Sequence, residues 1–334
     1  MQDARSIALQ TLSFFDVNGY ISFKKVEIAL STLSSKDRSF CINLIYGILR
    51  MRIRIDYELA RFLRKPHKLP VAVRNILRMG VFQIQFLDSV PEYASIDSSV
   101  SLVGVKEFKG LVNAVLRKIA DSGPSKEQPF NVTYSHPEWL VNYWKNVEWI
   151  ESLEELLEYN QTPPVQTVVA SDREDELVRK GFVFDRSQYS DLLNIFQRGD
   201  SMNKLENVDE VEYILSGVGV PVAKHGGTLT GRINSMPWLL HSLRLSAFTE
   251  ASQKAKKLLR GFSKEHDDFI YYSKAMTEAE NNEALNSLGD FESVEMEEFF
   301  AKRRIAAKFD GSGYWLQPWK SPLVGYVARI RRSR

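Results

Sequence analysis

The chain has 334 residues and a net charge of +2, with 44% hydrophobic and 26% charged residues, a composition typical of a globular protein of two or three domains. No run of about 18 apolar residues occurs, so we expect no membrane span. The polar N-terminus predicts no signal peptide, and we expect a cytoplasmic location. The one cysteine, Cys41, excludes an internal disulfide and a cysteine-rich zinc site, and no metal-ligand spacing occurs elsewhere.

The small net charge conceals a difference between the two ends of the chain. Residues 1–130 hold 19 Lys and Arg against 12 Asp and Glu, whereas the remainder holds 25 and 30. A basic N-terminal part indicates a polyanionic partner for that part. A solvated helical surface is the alternative that charge alone leaves open.

Residues 1–124 carry the apolar periodicity of consecutive helices, and we predict an all-α domain there. Ser35 and Asp37 before an apolar run are the pattern of a helix start, and Pro70 suits the first turn of another helix. Residues 125–164 predict a linker followed by a connecting helix.

Strand and helix patterns alternate over residues 165–334, which predicts a mixed α/β domain. The apolar runs at residues 165–170 and 211–215 predict strands. Strand patterns at residues 313–316 and 323–330 predict a hairpin that closes the domain.

Several fixed phrases in the N-terminal part resemble one family in their order and spacing. They are Asp37-Arg-Ser-Phe, Leu44-Ile-Tyr-Gly-Ile-Leu-Arg, Leu69-Pro-Val-Ala-Val-Arg-Asn-Ile-Leu-Arg-Met-Gly, Lys109-Gly-Leu-Val-Asn-Ala-Val-Leu-Arg and Ser135-His-Pro-Glu-Trp-Leu. They are similar to the bacterial ribosomal RNA small subunit cytosine-5 methyltransferases that carry an N-terminal NusB-like domain. The resemblance implies an all-α NusB-like bundle, a Rossmann-type domain that binds S-adenosylmethionine, an RNA partner and attack on cytosine by a cysteine thiolate.

The C-terminal part departs from the family pattern at the residues that carry the chemistry. Aligned on Glu280-Asn281, Lys274 stands where the family has a cysteine, and Gly217 stands where it has an aspartate. Lys274 cannot replace a thiolate, because its ammonium form has no lone pair. No glycine-rich turn of the kind that binds the cofactor occurs between Val165 and Val211. We therefore predict a truncated, degenerate methyltransferase-like domain with no catalytic residue and no cofactor.

Two interpretations of the strand at residues 165–170 remain. It can be the cofactor strand, with Asp172 as the acidic contact to the ribose. Alternatively it is an RNA-facing strand that precedes the catalytic domain, which we favour because it continues the match at Tyr159-Asn-Gln-Thr-Pro-Pro.

Two basic clusters in the helical domain are the predicted RNA-binding residues. Their members are Arg50, Arg52, Arg54, Arg61, Arg64, Lys65 and Lys68 in the first cluster, and Lys106, Lys109, Arg117 and Lys118 in the second. The pairs Arg50/Arg54, Arg61/Lys65 and Arg64/Lys68 have i,i+4 spacing and are expected on shared helix faces, where like charges repel unless a counter-charge such as RNA phosphate is present.

For two other residues, Cys41 and His225, we predict no catalytic or binding role. We predict that Cys41 is a buried, unactivated thiol, since it lies in an apolar helix. We predict that His225 is an exposed loop histidine without an acidic partner.

The sequence therefore predicts an RNA-binding protein, with ribosomal RNA as the expected partner and no methyltransferase activity. One alternative is a divergent S-adenosylmethionine-dependent RNA methyltransferase that uses Asp172 and the Gly217–Gly219 turn. Another is a NusB-like module that binds a protein partner or regulates transcription.

Overall fold

The structure is a computed structural model, and it describes residues 3–169, 171–197, 205–227, 237, 239–242, 246–321 and 323–333. The chain divides into two compact units by internal contacts. The helical unit comprises Met1–Asn146 and Met236–Ser242, and the α/β unit comprises Val147–Ser235 and Leu243–Arg334. The domain boundaries expected from the sequence stay a prediction beside this division.

The helical unit begins with eight helices in chain order. They are α1 Ala4–Asn18, α2 Phe23–Leu30, α3 Ser35–Ala60, α4 Val71–Phe86, α5 Glu92–Ser101, α6 Lys109–Ser122, α7 Phe130–Thr133 and α8 Glu138–Lys145. Helix α3 starts as predicted: the Ser34 side chain accepts a hydrogen bond from the Asp37 amide at 3.2 Å. Short 3-10 turns, Pro66–Lys68 and Lys106–Phe108, precede α4 and α6.

Helices α1, α3, α4 and α6 surround the core of the helical unit. Leu44, Ile48, Ile76 and Leu116 are among its fully buried side chains. Gly47 allows α3 to approach α4 closely, because a Cβ atom at this position would lie 2.1 Å from the Phe82 ring. The apolar faces of these helices repeat at the helical period, which is why this part of the fold follows from the sequence.

The remaining elements follow α8 in chain order. They are α9 Leu153–Gln161, β1 Gln166–Val168, α10 Glu174–Arg179, β2 Val183–Arg186, β3 Leu193–Gln197, α11 Glu210–Ser216, β4 Val222–His225, α12 Leu239–Ser242, α13 Ser246–Phe262, β5 Asp268–Ser273, α14 Asn282–Leu285, β6 Phe291–Val294, α15 Glu297–Lys302, β7 Ala307–Phe309, β8 Tyr314–Leu316 and β9 Gly325–Arg332. Helix α12 belongs to the helical unit, and the others form the α/β unit.

The described strands of the α/β unit form two sheets. The first is antiparallel and has the order β1-β3-β2. The second has the order β4-β5-β9-β8-β7, with β6 also paired to β9. Within it β4 runs parallel to β5, with His225 opposite Ser273, and β5 runs antiparallel to β9. The predicted closing hairpin is confirmed, since β8 pairs antiparallel with β9.

This topology bears on two predictions about strands. The predicted strand at residues 211–215 is wrong: these residues lie in α11, whose N-cap Asp209 accepts a hydrogen bond from the Glu212 amide at 3.2 Å. Val211, Ile214 and Leu215 are buried at helical spacing, and so short an apolar run does not separate helix from strand. Strand β1 lies in an antiparallel sheet, whereas a cofactor strand of a Rossmann half runs parallel to its neighbours, which favours the second interpretation above.

Candidate nucleic-acid interface

The first basic cluster divides between a helix and a loop. Arg50, Arg52 and Arg54 lie on α3, but α3 ends at Ala60, and the chain continues through a loop to the Pro66–Lys68 turn. Of the three predicted i,i+4 pairs, only Arg50/Arg54 lies within one helix. The prediction that the other two pairs share helix faces is wrong, because α3 does not extend that far.

The three arginines of the first cluster that lie on α3 make contacts within the protein. Arg50 is 7% exposed, and burial lowers its pKa to about 10. Arg52 forms an ion pair with Asp16, with Nη1 2.7 Å from Oδ1. Arg54 places its guanidinium 5.4 Å from the centroid of the Phe86 ring. The sequence could not show these contacts, since Asp16 lies on a different helix.

The loop cations have a different environment. Arg64, Lys65 and Lys68 are exposed, and none of them forms an ion pair with any residue that the structure describes. Arg61, by contrast, pairs with the fully buried Glu58, which also accepts hydrogen bonds from the Ser125 amide and the Gln128 side chain. The loop thus keeps three uncompensated positive charges at the surface.

The second cluster is exposed throughout. Lys106 lies in the turn before α6, and Lys109, Arg117 and Lys118 lie on α6. Arg117 Nε donates a hydrogen bond to Asn113 Oδ1 at 3.2 Å. Within the described ranges no carboxylate pairs with any of the four, so they form a second basic surface.

A cavity of about 210 Å³ opens beside the loop cations. Its lining combines apolar and polar side chains from the end of α3, the loop and the start of α4: Asp56, Leu59, Leu63, Pro66, His67, Arg74, Leu77 and Arg78. Arg74 is one of the lining residues, and its Nε is buried and has no hydrogen-bond partner among the described residues. Arg74 lies outside the predicted basic run, and its place at the cavity follows only from the packing of α3 against α4.

A polar cluster lies at the carboxyl ends of β4 and β5 in the α/β unit. His225 donates from Nε2 to Glu280 Oε1 at 2.9 Å, and Thr277 Oγ1 donates to Glu280 Oε2 at 2.7 Å. Glu280 is fully buried. The prediction that His225 is an exposed loop residue without an acidic partner is therefore wrong, since it ends β4 and its partner is 55 residues away.

Lys274 lies next to this cluster and forms an ion pair with Asp209. The Tyr272 hydroxyl also donates to Asp209, at 3.2 Å from either oxygen. The strand that pairs parallel with β5 is β4, whereas residues 211–215 are helical. No thiol belongs to this edge of the sheet, since Cys41 is the only cysteine of the chain and lies on α3.

Cys41 lies on α3 and is fully buried. Burial, with a smaller contribution from the Asp3 carboxylate, raises the pKa of its thiol to about 11. A thiol in this environment stays protonated near neutral pH and does not act as a nucleophile.

Neither a metal centre nor a membrane segment is apparent in the described ranges. No group of three or more His, Cys, Asp or Glu side chains there is placed to hold a metal ion. Among the helices that the structure describes, none combines the length and the apolar character that a membrane span needs.

Comparison with known proteins finds two similarities, both of which include the N-terminal part of the chain. Residues 2–121 match the NusB family. Over up to about half of its length the chain is similar to ribosomal RNA small subunit methyltransferases B.

Two of these relatives give the extent of the similarity. The probable ribosomal RNA small subunit methyltransferase B of Bacillus subtilis is 34% identical over 176 residues, which cover 49% of this chain and 39% of that protein. The Thermus thermophilus methyltransferase B is 37% identical over 112 residues, which cover 33% of this chain and 27% of that protein. The chain thus spans less than half the length of these curated relatives.

One solved structure is similar over the whole chain. The crystal structure of PH0851 superposes with a TM-score of 0.72 at 14% sequence identity and covers 99% of both chains. At this identity the likeness concerns the fold alone. The predicted fold class, an all-α NusB-like bundle followed by a truncated Rossmann-type α/β domain, is confirmed.

Proposed function

We propose that the chain binds RNA, with ribosomal RNA as the expected partner, through the helical unit and does not methylate cytosine by the cysteine mechanism. The observation that carries this proposal is the position of the only thiol, Cys41, buried inside the NusB-like unit. At the edge of β4 and β5 the chain has Lys274 where the resemblance expects a cysteine, and that lysine is paired with Asp209.

Uncompensated surface charge supports the RNA-binding part of the proposal. Seven of the eleven predicted residues are exposed and lack an ion pair in the described part of the chain: Arg64, Lys65, Lys68, Lys106, Lys109, Arg117 and Lys118. We assign these to phosphate contacts. Arg50, Arg52, Arg54 and Arg61 support the helical unit instead, through burial, ion pairs and ring contacts.

The relatives support an RNA partner over other polyanions. They are ribosomal RNA methyltransferases by name, and the similarity includes the helical unit in which the exposed cations lie. Binding through phosphates is strongly salt-dependent and carries little sequence information, so the identity of the RNA rests on additional contacts.

Two measurements on the full chain test the proposal. Titration with S-adenosylmethionine by calorimetry should give no heat, and incubation with ribosomal RNA and labelled cofactor should transfer no methyl group. Stoichiometric binding with methyl transfer would establish the divergent methyltransferase instead.

RNA binding is tested by charge removal at the loop. Lys65→Gln with Lys68→Gln should weaken binding about 10-fold near physiological salt and reduce the slope of log affinity against log salt by about 2. Lys254→Gln is the matched control, because Lys254 is an exposed lysine of α13 paired only with Glu250. If the unaltered chain, the double variant and Lys254→Gln bound RNA with equal affinity, the loop lysines would not contact phosphate. That result would favour a protein partner for the helical unit.

A further inference from the structure

Helix α13 of the α/β unit carries a basic run that the two predicted clusters do not include. Of the eleven residues from Lys254 to Lys264, five are Lys or Arg and none is Asp or Glu. Residues 131–334 as a whole hold 25 Lys and Arg against 30 Asp and Glu. A strongly positive segment in an otherwise acidic part of the chain indicates a polyanionic partner for that segment.

The buried and the basic residues of this segment lie on opposite faces. The buried residues are spaced four positions apart: Ala251, Ala255 and Leu259. Lys257, Arg260 and Lys264 follow the spacing i, i+3 and i+7, and all three are exposed. Lys264 lies in the turn that follows α13, where its amide donates to the Gly261 carbonyl oxygen at 3.3 Å. Because side chains three and four positions apart are neighbours on a helix surface, these three cations form one row, which we call the α13 row.

No carboxylate of the described ranges neutralises the α13 row. None of its three side chains forms an ion pair with a described residue, including the adjacent Glu265. The two aspartates that follow in the chain pair with arginines of β9 instead: Asp267 with Arg332, and Asp268 with Arg329 and Arg331. Like charges at this spacing repel one another, so the row is most stable when an external anion lies against it.

Helix stability alone does not account for the row. A cation in the last turn of a helix interacts favourably with the helix dipole, and Arg260 is placed there. The effect falls off beyond that turn, and Lys257 lies before it. Lys254 differs from the row, because it is paired with Glu250 at 2.7 Å. The exposed, unpaired charge is therefore concentrated toward the C-terminal end of α13.

We propose that the α13 row is an RNA-binding surface of the α/β unit and that its three side chains contact backbone phosphates. Lys and Arg side chains in a row match the regular negative charges of a nucleic-acid strand. A lipid surface fits less well, because the apolar face of α13 is buried within the unit and is not available for insertion. This inference rests on the proposed RNA binding and adds that the α/β unit takes part in it through residues outside the helical unit.

The test measures the affinity of the full chain for a labelled RNA hairpin over a range of salt concentrations. Lys257→Gln with Lys264→Gln should weaken binding about 10-fold near physiological salt and reduce the slope of log affinity against log salt by about 2. Lys257→Arg with Lys264→Arg keeps both charges and should bind as the unaltered chain does. Lys254→Gln is the matched control on the same helix, because Lys254 is paired with Glu250, and it should change neither the affinity nor the slope.

Circular dichroism and thermal unfolding establish that each variant is folded, and Lys257→Gln with Arg260→Gln repeats the test with a second pair. An unchanged affinity and salt slope for the glutamine variants would overturn the α13 row as an RNA contact. If Lys65→Gln with Lys68→Gln still weakened binding, the proposed function would stand without it. Equal losses for the glutamine and the arginine variants would also overturn the inference, since charge would not be the property that matters. Absence of RNA binding by the unaltered chain would overturn the proposed function as well.

Discussion

Arg78 holds Asp56 through two parallel hydrogen bonds, from Nε to Oδ1 at 2.7 Å and from Nη2 to Oδ2 at 2.8 Å. Its third contact is to Asp16, with Nη1 2.8 Å from Oδ2, and Arg52 contacts the other oxygen of Asp16. These contacts join α1, α3 and α4 beneath the basic loop. The wall of the cavity beside the loop therefore depends on a partly buried ionic network as well as on apolar packing.

Replacing Arg78 should destabilise the helical unit strongly. Asp16 has a side chain that is only 4% exposed, and Arg78→Ala removes one of its two cationic partners. Breaking a buried pair in this way costs about 3–5 kcal/mol. Urea unfolding measures the change, and Arg117→Ala on exposed α6 should alter stability by less than about 0.5 kcal/mol. A similar small effect for Arg78→Ala would show that the network does not stabilise the fold.

Cys41 should be unreactive in the folded protein. Its thiol is fully buried, and burial raises its pKa to about 11, so the thiolate that reacts with alkylating reagents is scarce at pH 8. Iodoacetamide should label the native chain over hours at most slightly and should label the urea-unfolded chain within minutes, as intact mass spectrometry would show. Rapid labelling of the native protein would place a reactive thiol at the surface.

The helical unit could be predicted from the sequence because its information is local. Apolar periodicity and the helix-start pattern at Ser35 and Asp37 can be recognised within a few residues, and the family phrases extend the prediction to the whole unit. The prediction for residues 211–215 was wrong for the opposite reason. Five residues are too few to distinguish the periodicity of a helix from that of a strand, and packing against the rest of the α/β unit makes them helical.

The candidate sites could be predicted only in part, because their partners are distant in the sequence. The run of arginines was apparent in the sequence. The ion pairs of Arg52 with Asp16 and of Arg78 with Asp56 were not, because each joins two different helices. Glu280 similarly reaches His225 only when β4 and β5 lie side by side. The cavity that Arg74 lines could not be predicted from the sequence, because its shape depends on how the side chains of α3, the loop and α4 pack together.

Gly47 should tolerate no side chain. The Cβ atom of alanine there would lie 2.1 Å from the Phe82 ring, so α3 and α4 must separate or Phe82 must move. We expect Gly47→Ala to destabilise the helical unit by about 1–3 kcal/mol, as over-packing of a core does. Gly110→Ala on α6 is the control, because a Cβ atom there meets no packed neighbour within 4 Å and alanine has a higher helix propensity than glycine. Thermal unfolding should therefore shift in opposite directions for the two variants.

Acidification should destabilise the helical unit between pH 6.5 and pH 4. His136 is fully buried and donates from Nδ1 to the Tyr134 carbonyl oxygen at 2.5 Å, and His241 donates from Nε2 to the Leu49 carbonyl oxygen at 2.7 Å. Burial lowers the pKa of each histidine to about 4, compared with about 6.5 in an unfolded chain. The unfolded state therefore binds more protons in this window, so stability is complete above about pH 6.5 and is lost as the pH falls toward 4.

Thermal unfolding at pH 7 and pH 5 measures this dependence. The transition of the helical unit should fall by several degrees at the lower pH. His136→Asn, which keeps a side-chain N–H donor but does not titrate, should be less stable at pH 7 and should show a smaller decrease between the two pH values. His67→Gln, a change at an exposed histidine, should keep the full decrease. If His136→Asn and the unaltered chain lost the same stability on acidification, the buried histidine would not be the group that takes up the proton on unfolding.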